Sequence, residues 1–223
     1  MPGFAGFDTD VYPGDAVMDW LKSNTNLVWT GYYLWPAPSH SDKSWIGKRA
    51  ALQVAGWGIA PVFLGQQVTG PGSKNPSAAQ GTTDGTAAAG VMQSEGFAQG
   101  SYVYLDIENG PPLTQPQQDY TVSWSAAVQT GGYQPGIYCS HELAAQVHNL
   151  VPNARIWVFK VTTIAPHPVP NPFPSPDPSG SGYVGASAWQ LGQNCIMTVS
   201  DAGAKLTTDV DSGNTADPGA PDS

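Results

Sequence analysis

Charge is what this chain has least of. Only 11% of its 223 residues are Asp, Glu, Lys or Arg, well under the roughly 25% typical of soluble domains, so Gly, Ser, Thr, Asn, Gln and Pro must make much of the surface. Positive charge is scarcer still, with 8 Lys and Arg against 17 Asp and Glu and a formal net charge of −9. Phosphate backbones and anionic lipid surfaces repel such a chain, which argues against nucleic acid as a partner. Long apolar runs are missing too. Stretches such as Ile59 to Leu64 and Arg155 to Val161 are strand-length, far short of the ~20 residues that span a bilayer. Only two cysteines occur, Cys139 and Cys195. They fit no zinc spacing, and Cys139 lies inside an apolar strand pattern, so buried free thiols are favoured over a disulfide. The beginning of the sequence has neither a basic n-region nor an apolar h-region, which leaves export by a non-classical route, or loss of a signal, as the expectation for an envelope or extracellular protein.

What is present is an alternation of short β-like runs with helix-length segments, the pattern of βα units around a parallel sheet. Eight strands are predicted: Gly3 to Asp8, Leu27 to Tyr33, Gly58 to Leu64, Tyr102 to Ile107, Tyr133 to Cys139, Arg155 to Val161, Tyr183 to Gln190 and Leu206 to Val210. Helices are expected over Asp15 to Ser23, Ser44 to Gly56, Ser77 to Gly96, Gln115 to Thr130 and His141 to Leu150. Pro116 lies near the start of the fourth of these and Gly131-Gly132 stop it. Seven prolines between Pro166 and Pro178 rule out a helix or a central strand there. The fold class is therefore α/β, a (β/α)8 TIM barrel with some irregular or short helices. One domain is expected over residues 1–212, followed by a frayed tail over 213–223.

In such a barrel chemistry belongs at the C-terminal ends of the strands. Acids recur there: Asp8 and Asp10 after the first strand, Asp106 and Glu108 at the fourth, Asp209 and Asp211 at the eighth. Strand alternation points Asp106 and Glu108 to one side. Two carboxylates held close separate their proton affinities, which supplies an acid and a stabilising or attacking carboxylate for glycoside hydrolysis. Asp10 and Asp211 have the weaker claim, since each could cap a neighbouring element. Aromatic faces suit sugar rings and amides suit hydroxyl and N-acetyl groups, so Tyr32, Gln66, Tyr138, Trp157, Trp189 and Gln190 are candidate substrate contacts. No nucleophile elbow, phosphate loop or dinucleotide fingerprint is present. The four scattered histidines make no zinc site, and neither a metal nor any other cofactor is expected.

The ordered segments Gly6-Phe7-Asp8, Tyr104-Leu105-Asp106-Ile107-Glu108, Gly136-Ile137-Tyr138-Cys139-Ser140, Ile156-Trp157-Val158, Ala188-Trp189-Gln190 and Asp209-Val210-Asp211 resemble the bacterial glycoside-hydrolase-like family known as domain of unknown function 1906. They resemble the family 25 lysozymes more distantly. The second resemblance implies cleavage of peptidoglycan between N-acetylmuramic acid and N-acetylglucosamine. It implies Glu108 as general acid, Asp106 as its partner, Asp8 and Asp209 as supporting aspartates, and Tyr138 with Trp189-Gln190 lining the sugar site. The segments Gly31-Tyr32-Tyr33-Leu34-Trp35 and Leu64-Gly65-Gln66-Gln67 follow the first family and depart from the lysozymes, at loops that set substrate choice. A monomeric hydrolase of a cell-wall polysaccharide is the leading expectation. The alternative is a non-catalytic carbohydrate-binding or cell-envelope interaction domain on the same barrel.

Overall fold

A computed structural model describes residues 2–68, 72 and 74–222. Its centre is a closed barrel of eight strands: β1 (Phe4–Asp8), β2 (Trp29–Tyr33), β3 (Gly58–Leu64), β4 (Tyr102–Asp106), β5 (Gln134–Ser140), β6 (Arg155–Phe159), β8 (Ala186–Thr198) and β9 (Lys205–Gly213). A two-residue strand, β7 (His167–Pro168), edges β8. Strands β1 to β6 pair in parallel in chain order, β6 closes onto β8, and β9 lies between β8 and β1. Five helices lie outside: α1 (Asp15–Asn24), α2 (Arg49–Val54), α3 (Ala78–Ser94), α4 (Gln115–Thr130) and α5 (Ala144–Leu150).

One expectation is corrected here. The last strand does not continue the parallel series; β9 runs antiparallel to both β8 and β1. No helix separates β8 from β9, so the chain can only return as a hairpin, with Val199 N–H bonded to Ala204 O across the turn. Nor does a helix follow β6. The proline-rich segment fills that place with β7 and a 3-10 turn over Pro178–Ser181, since prolines cannot supply helical N–H donors.

Side-chain alternation divides the core in two. Phe7, Tyr32, Ile59, Phe63, Val103, Leu105, Ile137, Ile156 and Val158 point outward and are covered by the helices. Trp29, Ala60, Val62, Tyr102, Tyr104, Trp157 and Ala188 fill the barrel. The rings pack edge to face, Trp29 on Trp157 at 5.4 Å and Tyr104 on Trp157 at 5.6 Å. Room for them comes from glycine: a Cβ at Gly6 would stand 2.1 Å from the Trp29 ring, and one at Gly136 2.5 Å from Tyr104.

Residues 213–222 are not frayed. They cross the barrel floor, where Asp217 accepts from Ile59 N–H at 2.9 Å and Pro218 O accepts from Tyr104 and Arg155. Asp222 accepts from Tyr102 at 2.7 Å and pairs with Arg155 at 2.5 Å. The Gly, Pro and Asp content that suggested disorder instead provides close backbone approach and acceptors for donors at the strand starts. Cys139 and Cys195 are buried free thiols, as expected. Among the described residues no helix is long and apolar enough to cross a membrane.

Candidate active site

Asp8 ends β1 facing the barrel lumen, and only a glycine fits beside it, because a Cβ at Gly31 would lie 2.7 Å from the Asp8 Cβ. Tyr33, two residues along β2 on the same inner face, donates its hydroxyl to Asp8 Oδ1 at 2.6 Å. Asp106 ends β4, and its backbone carbonyl is held by Gln67 Nε2 at 2.8 Å. Its Oδ1 is buried and has no hydrogen-bond donor. Glu108 lies just past the strand, exposed at the rim. From β5 the Tyr138 hydroxyl donates to Gln190 Oε1 on β8, and Gln190 Nε2 donates to Asp209 Oδ2 at 2.8 Å.

Asp209 reaches this ring for a reason the strand-end argument does not contain. It sits within the antiparallel β9, in register with Asp8, and the strand extends upward past it to Lys205. Its other oxygen accepts from Asn194 N–H at 2.8 Å. Asn194 adopts φ 55°, left-handed for a non-glycine residue, where β8 shifts register between Gly192 and Cys195. Such bulges re-aim backbone groups, here a donor onto a carboxylate.

Asp8, Tyr33, Val62, Asp106, Glu108, Tyr138, Trp157, Gln190, Gln193 and Asp209 enclose a cavity of about 60 Å³. It shares Asp8, Tyr33, Gln193 and Asp209 with an outer groove of about 330 Å³, whose other walls are Thr9, Asp10, Asn194, Thr207 and Thr208. The inner space holds a few waters or a substituent; the groove is where a sugar ring can lie.

The electrostatics follow from crowding acids in a buried place. Burial, then the charges of Glu108 and Asp8, holds Asp106 well above the usual carboxylate range. Burial and the Asp8 charge raise Glu108, and the same two causes lead in pushing Asp209 up to about 7. Asp8 is raised by burial while its bonds to Tyr33 and Asp211 oppose the rise. Asp211, fully buried, accepts from Trp157 Nε1 at 3.0 Å. It is raised well above its ordinary value by burial and by the Asp8 charge. The site stores protons and contains carboxylates of unequal basicity, the condition for acid and base roles to separate.

Of the candidates read from the sequence, Glu108, Asp106, Asp8, Asp209, Tyr138, Trp157 and Gln190 meet here. Three do not. Tyr32 points outward, buried between Trp45 and Phe97 with its hydroxyl on Glu95. Gln66 is tied to Asp84 at 2.9 Å and to Asn75 N–H, beneath the loop after β3. Trp189 lies on the outer face of β8 and donates to Lys160 O at 3.2 Å. Alternation is the cause: Tyr33 and Gln190 take the inner positions, so Tyr32 and Trp189 cannot. Tyr33, Asp211, Gln193 and Asn194 were not singled out as contacts. Parity with Trp29 and Gly31 could have indicated Tyr33; the β8 bulge that places Gln193 and Asn194 leaves no comparable mark in the sequence.

Several solved structures share this fold. A family 25 glycosyl hydrolase from Bacillus anthracis aligns with TM-score 0.62 at 14% identity, over 96% of this chain and 90% of that one. The bacterial lysozyme from Streptomyces coelicolor gives 0.59 at 17% identity, over 96% and 93%. The Mycobacterium tuberculosis Tat-secreted protein Rv2525c, solved in complex with HEPES, gives 0.60 at 14% identity, over 97% and 96%. No curated protein sequence matches the chain. The model of the family described as Rv2525c-like, glycoside hydrolase-like domain matches residues 28–211, a span that carries the barrel from the start of β2 to Asp211, and the chain belongs to that family.

Proposed function

We propose that this protein is a glycoside hydrolase that cleaves a bacterial cell-wall polysaccharide of the peptidoglycan type, in the manner of a muramidase. The observation that carries the proposal is the set of four acids, Asp8, Asp106, Glu108 and Asp209, gathered at one mouth of the barrel around a cavity that opens into a polar groove. Glu108, at the rim with a raised pKa, is the general acid that protonates the leaving glycosidic oxygen. Asp106 lies deeper, and with Asp8 and Asp209 it lines the face beneath the oxocarbenium-like centre, where the developing positive charge draws these carboxyls into the ionised form and their negative charge stabilises it. Tyr33, Tyr138 and Gln190 hold that charge in place through the bonds to Asp8 and Asp209. The fold shared with lysozymes and with a Tat-secreted protein supports an extracellular or envelope setting.

Release of reducing ends from purified peptidoglycan tests the reading. Among the described residues no group hydrogen-bonds to Glu108, so Glu108→Gln should leave folding intact while lowering kcat/KM by about 10²–10⁴-fold, the usual worth of a general acid. Equal rates in parent and variant would refute its role. Glycan binding by the parent without any product would point instead to a carbohydrate-binding domain on a glycosidase barrel.

A further inference from the structure

Most tryptophans of this chain are spent on packing. Of the eight, Trp29, Trp45, Trp57, Trp124 and Trp157 are buried, Trp20 and Trp189 are half-buried, and Trp35 alone is exposed, at 40%. Its place is set by β2. Leu34 N–H continues the ladder to β3 by bonding Val62 O at 2.9 Å, and the Leu34 side chain is buried in the outer core. Alternation then gives Trp35 the inner parity of Trp29 and Tyr33, so it stands at the mouth, one step above the Tyr33 that lines the acid cavity. The loop beyond is pinned: Ser39 N–H bonds Leu64 O at 3.2 Å, and Ser39 Oγ accepts from Gln67 N–H. A large ring left in water on a fixed loop adds nothing to the core, whereas an aromatic body with one side wet suits a binding surface. A second observation concerns charge. Lys43 Nζ lies 5.8 Å from the centroid of the Trp35 ring, the outer limit of a cation–π contact. Neither ion pair among the described residues, Lys48 with Asp15 or Arg155 with Asp222, includes it. The adjacent Asp42 is turned to Ser44, accepting from its N–H at 2.7 Å and from its hydroxyl. The Lys43 ammonium is therefore uncommitted, on a flexible four-carbon stem that can follow an anion to the edge of the ring.

We infer that Trp35 and Lys43 form a subsite outside the acid cavity that takes one sugar of the glycan together with the carboxylate attached to it. The indole stacks on the C–H face of the sugar, and the ammonium meets the carboxylate with a charge-assisted hydrogen bond. Neither residue touches the reacting atoms; the pair sets which sugar lies over the β2 side of the mouth. It also accounts for how a site rich in acids accepts an anionic chain: the negative group of the ligand is received at the rim by a free cation, away from Asp8, Asp106 and Asp209. The inference rests on the reading of this mouth as a glycan site, and it deepens that reading by assigning the carboxylate-bearing sugar to one side of the cavity.

The test uses the full chain carrying Glu108→Gln, so that binding is measured without turnover. The probes are peptidoglycan glycan strands freed of stem peptides, with their carboxylates either intact or converted to neutral amides. Adding Trp35→Ala should weaken binding of both preparations by about tenfold, with Trp35→Phe recovering most of the loss. Adding Lys43→Gln should weaken the intact strands severalfold and bring their affinity level with that of the amidated ones, an effect that shrinks as salt is raised. Acrylamide quenching gives a readout that a purely structural role would not move: the strands should shield tryptophan fluorescence, and that shielding should vanish with Trp35→Ala. Affinity unmoved by Trp35→Ala, an intact-to-amidated ratio unmoved by Lys43→Gln, or no binding of either preparation overturns the inference. Turnover by the parent is scored separately. Hydrolysis that is indifferent to Trp35 and Lys43 removes this inference and leaves the hydrolase standing, whereas binding that depends on both residues without any hydrolysis does the reverse.

Discussion

Asp8 shows how one residue's chemistry is set by its neighbours. Burial alone would make it a poor anion, but the hydrogen bonds from Tyr33 and with Asp211 favour the ionised form. Tyr33→Phe removes one of those bonds and nothing else of comparable polarity. The pKa of Asp8 then rises further, and since the proposed mechanism needs Asp8 ionised, the acid limb of the kcat/KM profile should move upward by ~0.5–1 pH unit. A limb that stays in place would show that Asp8 does not act as an anion. Alternation along β2 puts Tyr33 inward and leaves Tyr32 to packing: one hydroxyl meets the Asp8 carboxylate and the other Glu95 on the outside.

At the scale of elements, the outer layer depends on how closely helices approach. The small-residue composition of α3 suggests tight packing on the barrel, and in the structure its extensive partner is α4. Gly81 and Gly85, one turn apart, are the contact: a Cβ on either would stand 2.4 Å from a backbone carbonyl of α4, that of Tyr120 or Trp124. Gly90, on the exposed side of the same helix, has nothing within 4 Å. Two substitutions should therefore act in opposite directions in urea unfolding. Gly85→Val forces the helices apart and should cost at least about 2 kcal/mol. Gly90→Ala meets no obstacle and should gain about 0.5–1 kcal/mol from helix propensity and lost chain entropy. Closeness of α3 and α4 also matters to the site, because buried Asp84 on α3 accepts from Gln66 and from Tyr120 of α4, fixing the loop that presents Gln67 to Asp106.

For the whole molecule the acid cluster is a cost to folding that grows with pH. Asp8, Asp106, Glu108, Asp209 and Asp211 all hold their protons more tightly in the folded chain than as free carboxylates. A carboxylate whose folded pKa is raised favours the folded state when protonated, and that contribution is lost as pH rises from the unfolded value through the folded one. For Asp209 the window runs from 3.8 to about 7. Asp15, Asp42 and Asp222, away from this cluster, are lowered instead, and their opposite effect falls below that window. Calorimetric Tm should therefore drop by several degrees between about pH 5 and pH 7.5, and Asp209→Asn should flatten the decline. A Tm that rises across this range would contradict the assignment of these acids as proton-holding.

The sequence by itself determined the barrel's first six strands, the helices after each of the first five, and the four acids, because alternation, strand length and turn residues are local properties read within a few residues. Asp8 and Asp106 were legible because both end parallel strands at the mouth where such barrels keep their chemistry. Only the tertiary structure decided which of two adjacent aromatics enters the lumen, since that depends on the parity of a whole strand against its partners. It also decided that the last strand returns antiparallel, bringing Asp209 to the mouth from the middle of β9, that a bulge at Asn194 turns a backbone donor onto it, and that residues 213–222 brace the barrel floor. Each of these depends on hydrogen bonds between residues far apart in sequence, such as Asp8 with Thr208 and Ile59 with Asp217, and no local pattern encodes them.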